Sequence, residues 1–324
     1  MRPRPFRSRL LGAFLLPAVL TLTACGGGAE TDVAIAAGGA AAGGAADGVS
    51  VTHAQGSTTV PATPEKVVVF DLGALATLDE LGVQVAGVPV VENFPDRLAK
   101  YAGDGFTKVG SLFEPDYEKV NSLDPDLIVV AGRSSAAYPE LAKIAPTVDL
   151  TVDSTRFLSS FRERTEALGT IFGKQAEVKQ RLDAIDTSAA GVKAAAGDRT
   201  GLIVLTTGGK ISAHGAGGRF GVIHDALGVK PAADGLSTDT HGQAISAEFI
   251  AKTDPDLLYV VDRDSAIGES GKAAKQVLDN KLVNGTKAAK GDKIVYLDPF
   301  TWYLAPTALS SVEGMVKAVG DSLS

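Results

Sequence analysis

The stretch "EKVNSLDPDLIVVAGR" (Glu118–Arg133) recurs 130 residues later as "EFIAKTDPDLLYVVDR" (Glu248–Arg263). Each copy opens on Glu, carries Asp-Pro-Asp-Leu at its seventh to tenth positions and closes on Arg at the sixteenth. A solenoid needs about three or more stacked units, so two copies at this spacing predict two similar lobes. In each copy a helix is expected from the Glu to the Asp-Pro-Asp turn, where Pro blocks its continuation. A strand then follows and delivers the Arg to its carboxyl end, the edge at which open α/β sheets take ligands. If the lobes face each other, Arg133 and Arg263 enter one cleft from opposite walls.

Outward from the repeat, the same alternation continues. "EKVVVFD" (Glu65–Asp71) is a run of β-branched residues without polar alternation, the pattern of a buried parallel strand, and "LATLDELG" after it reads as a helix capped by Gly82. "VAGVPV" and "DLIVVAG" supply further strands. The grammar restarts at "TGLIVLTT" (Thr200–Thr207), with "FGVIHDALGV" as a helix and "DLLYVVD" and "KIVYLD" as strands. Strands alternating with helices predict an α/β fold of two Rossmann-like lobes. Between them, Lys174–Ala196 places Val178, Leu182, Ile185, Ala189 and Val192 at spacings of three or four. A helix of that length spans about 34 Å, enough to join the lobes and to restrict hinge motion.

The amino terminus has a different character. Arg2, Arg4, Arg7 and Arg9 precede the apolar run Leu10–Leu22, and "LTAC" ends at Cys25, the one cysteine of the chain. Charge, apolar length and small residues describe a secretory signal, and the motif resembles a bacterial lipobox, in which the Cys becomes the lipid-modified first residue. A lone cysteine forms no internal disulfide. The Gly/Ala-rich "GGGAETDVAIAAGGAAAGGAADG" behind it has almost nothing bulky to bury and reads as a flexible tether. The expected organisation is therefore signal 1–24, tether 25–50, first lobe 51–173, interlobe helix 174–196 and second lobe 197–324. Removing residues 1–24 takes away four Arg and no acid, leaving 27 basic against 38 acidic residues, a net charge of −11. That balance disfavours nucleic acid as a partner. No later apolar run is long enough to span a bilayer, so the lipid alone would hold the chain on the extracytoplasmic face of the cell membrane.

In combination, "KVGSLFEPDYEKVNSLDPDLIVVAGR", "LIVLTTGGKISAHGAGGRFGVIHDALG", "THGQAISAEFI", "LLYVVDR" and "IVYLDPFTWYLAP" resemble the siderophore-binding lipoproteins of iron-uptake ABC transporters. The likeness is strongest to the branch that captures ferric catecholates of the petrobactin and enterobactin type. It implies a periplasmic-binding-protein-like fold with a long interlobe helix. It also implies three basic cleft residues, at Arg133, Arg219 and Arg263, and two residues able to complete an iron coordination sphere, His241 and Tyr303. Trp302, beside Tyr303, is expected at the cleft. Glu118 and Glu248 correspond to acids that dock each lobe on the permease.

The chemistry is coherent. A ferric tris-catecholate carries roughly three negative charges, and Arg offers a permanent charge, a donor fork and a flat face. Phenolate oxygen and imidazole nitrogen are credible Fe(III) ligands where a small siderophore leaves positions open. Taken singly, each residue has a plainer role: Arg219 exposed after a Gly-rich turn, His241 solvent-facing, Tyr303 packed on Trp302, the two Glu compensating helix N-termini. His53, His214 and His224 show no paired spacing for a protein-only zinc site. No GxSxG, HExxH or P-loop is present, and no enzyme activity or permanent cofactor is expected. A monomer is expected, with the ferric siderophore as ligand. The rival reading is a binding protein of the same architecture for haem, a corrinoid or a hydroxamate siderophore; a neutral hydroxamate complex has little use for three Arg.

Overall fold

The computed structural model describes residues 48–92 and 94–324. The signal, Cys25 and nearly all of the tether lie outside the described residues. The last positions assigned to the tether do not belong to it: Gly48–His53 is already a strand, paired antiparallel with Gly56–Pro61. Alternation decides this. Val51 and His53 are buried while Thr52 is exposed, so the hairpin rests one face on the first lobe.

The first lobe is a five-stranded parallel sheet in the order Thr107–Lys108, Gly87–Val88, Val67–Val69, Leu127–Val130, Thr147–Asp149. Its central strands, Val67–Val69 and Leu127–Val130, are buried at every position, as their unbroken apolar runs require. The second lobe is a six-stranded sheet. Thr200–Thr207, Leu257–Asp262 and Ile294–Leu297 run parallel, and the short Lys230–Pro231 joins Thr200–Thr207. Lys210–His214 and Gln243–Ile245 extend it antiparallel. The sheet is thus mixed, because Gly208 and Gly209, both at positive φ, turn the chain straight back as a hairpin. The helix expected over "FGVIHDALGV" shrinks to Val222–Asp225, with Gly228 in the left-handed region (φ +79°) soon after it.

The repeat performs the same construction twice. Helices Tyr117–Leu123 and Ala247–Thr253 end on Asp124 and Asp254, both left-handed, at φ 48° and 45°. Each helix therefore ends at its cap directly before the Pro. The pre-proline position disfavours the α region, and Asp is among the few residues that tolerate a left-handed cap. The second Asp of each turn fastens the neighbouring strand. Asp126 accepts the Glu65 and Lys66 amides at 3.0 and 2.9 Å, and Asp256 accepts the Thr200 amide and hydroxyl, both at 2.9 Å.

The long helix runs from Gln175 to Ala196, 22 residues, or about 33 Å. Val178, Leu182, Ile185 and Ala189 are buried on one stripe as the spacing predicts, and Val192 is partly covered. They share a core with Leu81 and Phe161 on the first-lobe side and with Ile203, Leu257 and Tyr259 of the second sheet. The carboxyl-terminal helix Leu309–Ser322 reinforces this junction. Arg181 of the long helix grips Glu313 of that helix at 2.8 and 3.0 Å and Glu80 of the first lobe at 2.8 Å. The Leu309 amide donates to Thr77 Oγ1. Among the described residues, no helix is long and apolar enough to cross a membrane.

Candidate functional site

Three arginine-bearing segments, drawn from both lobes, meet on a tyrosine carried by a fourth. Arg133 stands in the 3₁₀ turn Gly132–Ala137, just past strand Leu127–Val130, and Gly132 takes φ +50° to make the exit. Arg263 opens the short helix Arg263–Ile267, whose cap Asp262 accepts the Ser265 amide at 3.1 Å. Arg219 sits on a Gly-rich turn held by Asp225, which accepts the Gly217 amide at 2.6 Å. Tyr303 lies in the π-helical turn Phe300–Leu304 beyond strand Ile294–Leu297, where Asp298 accepts the Thr301 amide at 2.8 Å. π-Turns cluster at functional positions.

The guanidinium groups of Arg133 and Arg219 donate to the same acceptor, the Tyr303 carbonyl, at 2.8 and 3.0 Å. Arg133 also donates to Leu304 O at 3.3 Å. Arg263 Nε donates to the Tyr303 hydroxyl at 3.0 Å, and its Nη1 to Thr207 Oγ1 at 3.2 Å. Arg219 lies over the tyrosine ring at 4.1 Å and Arg133 at 5.5 Å, a cation–π arrangement on both counts. All four residues are partly exposed.

Two of the three cations shape the acidity of the phenol. Burial disfavours the Tyr303 phenolate, but the charges and hydrogen bonds of Arg219 and Arg263 outweigh it and lower the pKa below that of a free tyrosine. Arg219 is itself lowered, first by burial and then by Arg133. The cluster gathers three arginines within an acidic chain. Burial shifts two neighbouring groups toward their neutral forms: it raises the Asp71 carboxyl pKa against the opposing Ala74 amide bond and Arg133, and it lowers His214 to about 4, with Arg219 contributing.

The other expected residues are placed differently. His241 is not part of the arginine–tyrosine cluster: its side chain is 94 % exposed, with Nδ1 3.2 Å from Asp239 Oδ1. It reaches the cluster only indirectly, since His214 feels both His241 and Arg219. Trp302 does not line the crevice. It is 1 % exposed and packs in the core behind the long helix, because successive positions of a helical turn face different sides and Tyr303 holds the open one. Glu118 and Glu248 are exposed in the first turns of their helices, remote in sequence from the arginines that end each repeat. Among the described residues, no group of three or more His, Cys, Asp or Glu is arranged to hold a metal ion.

Sequence reasoning missed Thr207, Asp264 and Glu269 around Arg263, and Asp71 beside Arg133. One signal was available. The residue after the closing Arg is Ser134 in the first copy and Asp264 in the second, so the two arginines are supported by opposite chemistry. Ser134 bonds its own turn at Ala131, whereas Asp264 accepts Thr207 Oγ1 at 2.9 Å and the Gly208 amide at 2.7 Å.

Residues 67–301 match the family described as Periplasmic binding protein. The chain belongs to that family. It is 46% identical over 281 residues to the petrobactin-binding protein YclQ of Bacillus subtilis, covering 85% of this chain and 88% of the relative. To the ferric-anguibactin-binding protein FatB of Vibrio anguillarum it is 31% identical over 272 residues, covering 82% and 84%. The structure of the catecholate-siderophore-binding protein VctP of Vibrio cholerae superposes with a TM-score of 0.81 at 32% identity, covering 84% of this chain and 99% of that one. The fold is that of the periplasmic binding proteins built on a long helix, as the repeat and the interlobe stripe predict.

Proposed function

We propose that this protein is the extracytoplasmic, lipid-anchored binding component of an iron-uptake ABC importer, and that it captures an anionic ferric catecholate siderophore in the arginine-lined crevice. One observation carries the reading: Arg133, Arg219 and Arg263 converge on Tyr303 from three separate segments. Gathering three like charges is unfavourable unless an anion repays it, and a ferric tris-catecholate carries about three negative charges with flat aryl faces suited to guanidinium stacking. The relatives named for petrobactin, ferric anguibactin and catecholate siderophores support the ligand class.

In this reading the arginines bind and orient the complex from both lobes. The lowered pKa of Tyr303 favours its phenolate, a hard oxygen suited to Fe(III). His241, whose Nδ1 faces Asp239, leaves Nε2 for a second iron position when the siderophore is tetradentate. Glu118 and Glu248, one on each lobe, meet basic patches of the permease. Lipidation at Cys25 and transfer to the permease complete the route. The test is calorimetric titration with a trianionic ferric catecholate and a neutral ferric hydroxamate of similar size. Binding of the first with at least tenfold preference is expected; equal binding would overturn the assignment.

A further inference from the structure

Arg133 and Arg219 donate to backbone carbonyls, and neither forms an ion pair with a described residue. Arg263 differs. Its Nη1 lies 3.8 Å from Asp264 Oδ1 and 3.6 Å from Glu269 Oε2. The two acids are not equivalent. Asp264 is 5 % exposed, and both of its oxygens serve the fold, at Thr207 and Gly208. Glu269 is 58 % exposed in its side chain, follows Gly268 at φ +73°, and is fixed only at its backbone, where its amide donates to Asp264 O at 2.9 Å. Arg263 is the one ion-pair partner of its carboxylate among the described residues.

We propose that Glu269 is the counter-ion of Arg263 and competes with an anionic ligand for it, which makes Glu269 a determinant of affinity and charge selectivity. The competition rests on the functional reading above; the counter-ion does not. A pair this exposed contributes little, because water screens it and the long side chain loses rotamer freedom. It is therefore displaced readily by a ligand of several charges. A neutral complex gains nothing by displacing it. The carboxylate also relieves repulsion of Arg263 with Arg219, which bear on the same tyrosine.

The tyrosine supplies a readout that needs no ligand. Arg263 Nε donates to the Tyr303 hydroxyl, so removing the negative charge beside Arg263 strengthens its hold on the phenolate. In E269Q, alkaline absorbance titration, referenced to Y303F to isolate Tyr303, should show ionisation at a pH lower by a few tenths of a unit, on the order of one partly screened charge. E140Q, which removes an exposed carboxylate elsewhere, should leave it in place. Affinity of E269Q for a trianionic ferric catecholate should rise about two- to fivefold, affinity for a neutral ferric hydroxamate should not change, and R263A should erase the gain. An unmoved Tyr303 titration overturns the counter-ion, whatever the protein binds. A moved titration with unchanged catecholate affinity overturns the competition. A moved titration in a protein whose wild type binds no ferric catecholate upholds the counter-ion and removes the functional reading instead.

Discussion

Arg219→Ala is the substitution on which the ligand assignment turns. Its guanidinium lies 4.1 Å over the Tyr303 ring and donates to the Tyr303 carbonyl at 3.0 Å, and its own pKa is lowered first by burial and then by Arg133. A charge-assisted contact from such a group to an anionic ligand contributes about 1.5–3 kcal/mol, which corresponds to a loss of roughly ten- to 150-fold in affinity. Relief of repulsion with Arg133 and Arg263 in the free protein trims the loss without reversing it. The same change withdraws the leading cation that favours the Tyr303 phenolate, so its pKa should rise toward the ordinary tyrosine value. Arg219→Lys keeps the charge but loses the planar face, and should fall between wild type and Ala for an aryl ligand. Calorimetry with a trianionic ferric catecholate and alkaline absorbance titration read the two effects independently. Wild-type catecholate affinity in R219A, with Tyr303 titrating higher as expected, would refute the assignment while leaving the electrostatics intact.

His241→Ala and Tyr303→Phe should weaken tetradentate ferric catecholates and spare hexadentate ones, which offer the side chains no vacancy; the visible charge-transfer band of the tetradentate complex should shift in Y303F, and equal losses for both ligand types would reduce both residues to pocket lining. Charge reversal at Glu118 and Glu248 together should impair cellular iron uptake with ligand affinity nearly unchanged, since exposed charges act on encounter more than on residence; normal uptake would remove the docking role. Cys25→Ser should release the protein from the membrane fraction or leave it unprocessed, and an unlipidated wild-type mature mass would end the anchoring proposal.

Much of the architecture was legible because it depends on local chemistry. The unbroken apolar runs at Val67–Val69, Leu127–Val130 and Leu257–Val261 fall where the strands are, since a strand covered on both faces has no polar position to spare. The interlobe stripe was readable for the same reason. Legibility failed at Lys210–His214 and Gln243–Ile245, two short strands with little apolar continuity that exist because a Gly-Gly hairpin and a sheet edge supply their partners. The helix expected at Phe220–Val229 failed for a related reason: its apolar residues fit helical spacing, but the glycines around it leave one turn.

Only the family resemblance singled out Arg219 and Tyr303; the sequence by itself determined that there are two lobes and that each repeat closes on an arginine. Residue type and spacing carry that much, because charge, donor geometry and strand–helix alternation are properties of neighbouring residues. Only the tertiary structure decided which groups meet. Arg133 and Tyr303 are 170 positions apart and share a hydrogen bond, whereas Trp302 and Tyr303 are adjacent, yet one is buried in the core and the other partly exposed among the arginines. The direction of a side chain at a helical turn depends on what packs behind it, and here that is the long helix and its core. The same holds for Glu269, whose meeting with Arg263 depends on how the chain turns at Gly268.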